Sequence, residues 1–203
     1  MPLKFANNQS LTATTALPSA VPTDNLILIS TQTASNSANI SFTTGINGTY
    51  DLYEFKFINI KSEGTRPIFH FQGSTDGGSN YGITLTSTYF EAYNSMSGAA
   101  EYGVVYETNW DLAQSTSFQP LTLGVENASG YNACGSLQLF NPSSTTYVKH
   151  FIGCTEETYL GYAVNNYIAG YFNTTSAVNA IRFKFASGNI VDGIIKLYGV
   201  KKS

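Results

Sequence analysis

The sequence predicts an all-β fold, an antiparallel β-sandwich of jelly-roll-like form preceded by an extended N-terminal arm, and three observations carry that expectation. Apolar residues alternate with polar ones over short runs, clusters of Gly, Asn, Ser and Asp separate the runs, and no stretch keeps a helical period over three turns. With 203 residues, 42% hydrophobic and 14% aromatic, the chain suits a single core. Residues 1–25 are the expected arm and residues 26–203 the sandwich domain.

The arm differs in composition from everything after it. Residues 11–23 are small, rich in Thr and Ala, and contain Pro18 and Pro22, which favours an extended path over a helix or a central strand. Leu3, Phe5, Leu11 and Leu17 space apolar groups along it, so it is expected to dock on a neighbouring subunit as an assembly arm.

From Leu26 onward one theme recurs. Residues 26–29 are a short apolar run, and residues 38–43 alternate with Ile40 and Phe42 on one face. Between residues 50 and 60, Tyr53, Phe55 and Phe57 share a face while Glu54 and Lys56 take the other, the pattern of a half-buried strand. Residues 68–72 repeat it with Phe69 and Phe71. The stretch 73–80, with Gly73, Asp76, Gly77 and Gly78, reads as a hairpin turn into a strand over residues 81–90. Further strands are expected at residues 104–107, 118–125, 135–140, 145–152, 166–172, 180–185 and 193–200, about a dozen in all. Residues 95–102 admit one short helical turn at most.

Charge narrows the partners. Charged residues make up 11% of the chain, against roughly 25% in an average soluble domain. The surface is therefore expected to be carried by Ser, Thr, Asn, Gly and Tyr, and with a net charge of -3 little self-repulsion keeps copies apart, so a homo-oligomer is expected. The ten Lys and Arg are scattered without a stripe of phosphate contacts, which argues against nucleic acid. Nothing approaches the ~18 apolar residues of a membrane span. The opening residues carry no apolar signal segment, so synthesis in a host cytoplasm without a signal peptide is expected.

No reaction centre is expected, so the chain reads as a non-enzyme with no cofactor and no metal. Only His70 and His150 are available as bases for a triad, and alternation places His70 on the exposed face of its strand, opposite Phe69 and Phe71. Cys134 and Cys154 begin no Cys-x-x-Cys site, and in a reducing cytosol they read as two buried thiols, a disulfide across neighbouring strands being the alternative. Glu156 and Glu157 are adjacent and so point to opposite faces of any strand that holds them.

Aromatic surplus is the feature with binding content. Fourteen Tyr exceed what a sandwich core needs, and Tyr offers amphipathic area at low entropy cost for protein interfaces and sugar stacking. Tyr89, Tyr93, Trp110, Tyr159 and Tyr162 lie where neighbouring or loop aromatics cannot all point inward, which makes them the candidate surface or glycan-binding aromatics.

Three stretches carry a family likeness. They are the opening Met1-Pro2-Leu3-Lys4-Phe5-Ala6-Asn7-Asn8, the centre over residues 139–150 beginning Leu139-Phe140-Asn141-Pro142, and the end over residues 169–183 and 193–201, which includes Ala169-Gly170-Tyr171-Phe172-Asn173. Together they resemble a group of uncharacterised small β-domain virion proteins of aquatic tailed bacteriophages, including cyanophages, and the opening is similar to the start of phage tail-fibre-like proteins. About two-thirds of the chain is covered. The resemblance implies a virion component with other virion proteins as partners, and it supplies no catalytic residues. The expected function is a tail-associated fibre or adhesin-type part that contacts host-surface carbohydrate. The alternative is a capsid decoration, or cement, protein whose arm clamps shell subunits.

Overall fold

The computed structural model describes residues 26–200. Along them run β1 (Leu26–Thr33), β2 (Ile40–Phe42), β3 (Leu52–Ser62), β4 (Phe69–Ser74), β5 (Leu85–Ser95), β6 (Tyr102–Tyr106), β7 (Gln119–Pro120), β8 (Ala133–Phe140), β9 (Lys149–Tyr159), β10 (Tyr162–Phe172), β11 (Ala180–Phe185) and β12 (Ile190–Val200). Among the described residues there is no helix. The strands form two wholly antiparallel sheets, one in the order β1-β12-β3-β8-β9-β10-β5-β6 and one in the order β2-β11-β4-β7. The chain is an antiparallel β-sandwich. The arm residues Leu3, Phe5, Leu11 and Leu17 lie outside the described residues.

Period-2 alternation explains the strands, with one interruption that matters. In β3, Tyr53, Phe55 and Phe57 face the core, while Glu54 and Lys56 face outward and pair at 2.6 Å. The register then shifts between Phe57 and Ile60, where Asn59 holds a positive φ of 53°. This bulge resets the parity, so Ile60 and Ser62 also point inward. Without it Ile60 would face solvent.

The core is an aromatic stack centred on Phe183 of β11. Its ring lies 5.1–6.4 Å from the rings of Phe42, Phe55, Phe57, Phe69 and Phe71, which come from both sheets. Most of these contacts are edge-to-face or tilted, the geometries that aromatic quadrupoles favour.

Four strands cannot cover eight. Beyond the reach of the smaller sheet, the inner face of the larger one is lidded by residues 107–127. Trp110, Leu112, Leu121, Leu123 and Val125 pack there against the core. Backbone groups tie the segment down, with Leu121 N–H donating to Phe69 O, Val125 N–H to Pro67 O and Ser87 N–H to Leu112 O. The expected strand over residues 118–125 thus survives as ladder pairing only at Gln119–Pro120, because beyond it Phe69 N–H donates to the Thr122 side-chain hydroxyl instead of to a backbone carbonyl.

Two further expectations are corrected. The stretch 73–80 is no hairpin: β4 belongs to the smaller sheet and β5 to the larger, so the loop crosses between sheets, and β5 begins at Leu85. Asp76 organises that loop by accepting hydrogen bonds from Ser74 Oγ, Asn80 N and Asn80 Nδ2, which hold its carboxyl down at about 2. His70 does occupy the outward face of β4, yet it is half-buried, and burial followed by the nearby Lys184 charge lowers it to about 4.

Candidate binding cleft

The overhang of the larger sheet creates the candidate site. On the inner face of β5 the residues are Tyr89, Glu91 and Tyr93; opposite them on β10 stand Ile168, Asn166 and Val164. The β9–β10 hairpin closes with Leu160 and Gly161 at positive φ, 52° and 84°, the turn chemistry of a tight two-residue connection. That turn sets Tyr159 directly across from Tyr162.

Tyr93, Tyr159 and Tyr162 converge with Glu91, Leu123, Leu160 and Val164 around a cleft of about 250 Å³. Tyr93 and Tyr162 meet edge-to-face at 5.6 Å and 88°. The Tyr162 hydroxyl donates to Glu101 Oε2 at 2.8 Å, which fixes that ring in the wall. Gly103, opposite Tyr93 on β6, leaves room for the Tyr93 ring, since a Cβ there would stand 3.1 Å from its hydroxyl.

Glu91 gives the cleft its chemistry. The residue is 7% exposed, and its Oε2 is buried without a hydrogen-bond partner among the described residues. A buried polar atom left unpaired costs about 1–3 kcal/mol. Burial, reinforced by the negative charge of Glu107, pushes the carboxyl up to about 7.

Behind the cleft a second buried carboxyl is fully engaged. Glu157 accepts from Leu123 N–H at 2.8 Å through Oε1 and from Asn166 Nδ2 at 2.6 Å through Oε2. Asn166 also donates to Thr155 Oγ1 and accepts from the Tyr89 hydroxyl at 2.7 Å, while Thr155 Oγ1 donates to Leu121 O. Burial outweighs the donors and raises Glu157 to about 8. The network holds Leu123 in place, and Leu123 is a wall of the cleft. Glu156, its chain neighbour, faces the opposite side of β9.

The aromatics singled out in the sequence therefore divide. Tyr93, Tyr159 and Tyr162 are brought together. Tyr89 is corrected: it is 0% exposed and belongs to the core and its polar network, because β5 carries it on the same inward parity as Leu85 and Ser87. Trp110 is half-buried against the core, with its carbonyl accepting from Gln119 Nε2, and lines no part of the cleft. Glu91 was the residue missed, although it sits two positions from both Tyr89 and Tyr93 and so shares their face.

The outer face of the same strands is apolar. Phe90 stacks on Tyr167 at 4.9 Å and 9°, Tyr106 is cross-strand to Phe90, and Tyr102 and Val104 extend the surface along the edge strand β6, each 71% exposed. A broader shallow depression of about 650 Å³ lies further along this face, between Thr86, His150, Ile152 and Tyr171. Cys134 and Cys154 are free thiols on adjacent strands, β8 and β9, and both are half-buried where the sequence predicts full burial. Among the described residues no three of His, Cys, Asp and Glu cluster as metal ligands, and no helix is long and apolar enough to cross a membrane. No family model matches this sequence, and no curated protein or solved structure matches it either.

Proposed function

We propose that the chain is a bacteriophage virion structural component of the tail fibre or adhesin type, a β-sandwich that assembles with other virion proteins and contacts host-surface glycan through the tyrosine cleft. The observation that carries the glycan contact is the convergence of Tyr93, Tyr159 and Tyr162 beside the unpartnered Glu91 carboxyl. Aromatic faces stack on the apolar side of a sugar ring, and the Glu91 carboxyl in the cleft wall can accept a hydrogen bond from a ring substituent. The exposed apolar row of Phe90, Tyr106, Val104 and Tyr102 supports assembly into a homo-oligomer or onto a neighbouring virion protein. With the hairpins β5–β6 and β9–β10 set aside, the strand orders β1-β12-β3-β8 and β2-β11-β4-β7 place successive strands in alternate sheets except for β4 and β7, which pair with each other, and this supports the finer jelly-roll reading.

Binding is favoured over catalysis by the fate of the carboxyls. Glycoside hydrolysis uses two carboxyl groups flanking one bond, and of the two buried glutamates Glu91 and Glu157, only Glu91 lines the cleft. The purified chain printed against a glycan array is expected to give signals that Tyr162→Ala abolishes. An array with no signal above background would overturn the glycan contact.

A further inference from the structure

The electrical character of the cleft narrows what it can hold. Glu91 is in its wall, Glu107 acts on Glu91 from beyond β6, and Glu101 grips the Tyr162 hydroxyl. Among the described residues no Lys, Arg or His lines the cleft. Arg66, in the loop preceding β4, is paired with Glu126 at 3.3 Å. The remaining polar surface is that of three tyrosine rings, whose faces are themselves electronegative.

Three ligand classes meet this setting differently. An acidic sugar would bring a second negative charge against Glu91 and its neighbours. A neutral hydroxyl would hydrogen-bond the Glu91 carboxyl in the cleft wall but leave the acidic field uncompensated. A protonated amine does both, donating N–H to the carboxyl while its charge is attracted to the ring faces. The volume of about 250 Å³ falls below the roughly 300–1,000 Å³ of pockets for drug-sized ligands, so one ring or one head group fits.

We infer that the cleft is an ammonium-selective subsite, anchored by Glu91 and walled by Tyr93, Tyr159 and Tyr162, and that its ligand, resting on the glycan reading above, is a sugar unit with a free amino group. An N-acetylated sugar has lost the charge, and an acidic sugar has reversed it. Glu91 becomes the charge partner by releasing its proton to solvent as the ammonium docks, and the tyrosines supply the cage.

The test is a calorimetric titration of the purified full chain with glucosamine, N-acetylglucosamine, glucose and ethanolamine in separate runs. Glucosamine is expected to bind about tenfold more tightly than either neutral sugar, and Glu91→Gln, which keeps the shape and a hydrogen-bonding group, is expected to remove that preference. Equal binding of the three sugars would overturn the amine selectivity while leaving the glycan reading standing. Ethanolamine binding without any sugar would support the ammonium subsite and overturn the glycan reading. No binding by any of the four would overturn both. Because the comparison among ligands is made on the unaltered chain, the outcome does not depend on whether the Glu91 variant folds; Tyr93→Leu, expected to weaken glucosamine more than glucose, provides the second variant.

Discussion

Replacing Phe183 with alanine is expected to lower the unfolding free energy by about 3–5 kcal/mol, the range for truncating a buried aromatic whose site cannot collapse. The ring is 0% exposed and touches Phe42, Phe55, Phe57, Phe69 and Phe71, so its removal leaves a void walled by rigid rings drawn from both sheets. Since a domain has about 5–15 kcal/mol in total, one such change consumes a large part of it. Phe183→Leu refills most of the space and is expected to cost much less. Urea unfolding followed by circular dichroism measures both, and a loss below about 1 kcal/mol for alanine would contradict the central position of this ring.

Stability is expected to fall as pH rises from about 6.5 to about 8, and Glu157 is the principal cause. In the unfolded chain its carboxyl releases its proton near 4.5, whereas in the fold burial holds it until about 8. Between those values the folded state carries a proton that the unfolded state has lost, so raising the pH favours unfolding. Glu91 adds the same sign from 4.5 up to about 7. His70 opposes both lower down, because its base is depressed from 6.5 to about 4 and the unfolded chain binds the extra proton there. Above 6.5 that opposition is gone. The expected decline to pH 8 is about 3 kcal/mol at most, at about 1.4 kcal/mol per unit for each fully differing proton, Glu157 contributing over the whole interval and Glu91 up to about 7. Glu157→Gln should flatten the upper part of the profile. Glu157→Ala is expected to cost about 3 kcal/mol near pH 5, because Leu123 N–H and Asn166 Nδ2 lose their buried acceptor, and less as the pH rises towards 8, since the variant lacks the proton whose loss weakens the wild type. A wild-type midpoint that stays level from 6.5 to 8 would contradict the buried protonated carboxyl.

Alternation made most of the sandwich legible in the sequence. Phe69 with Phe71, Tyr53 with Phe55 and Phe57, and Ile40 with Phe42 all face inward as their spacing requires. What local pattern cannot encode is which sheet a strand joins. The residues that make a hairpin turn also make a crossing loop, so Gly73, Asp76, Gly77 and Gly78 gave the place of a turn and not its partner strands. The bulge at Asn59 is similarly silent, since one residue at positive φ reverses the parity of everything after it.

The cleft was half legible for the same reason. Surplus tyrosines pointed to Tyr93, Tyr159 and Tyr162, but only the pairing of β9, β10 and β5 brings them to one place. Glu91 escaped notice because a carboxylate in a strand reads by default as solvent-facing. Its position in register with Asn166, deep in the inner face, is set by strands far apart in the sequence.

Gold-labelled antibody to this chain, viewed by electron microscopy on purified virions, tests the proposed role most directly. Label confined to the tail or its fibres is the expected result. Label spread over the shell would place the chain with capsid decoration proteins instead, and particles bare of label would contradict a virion role altogether.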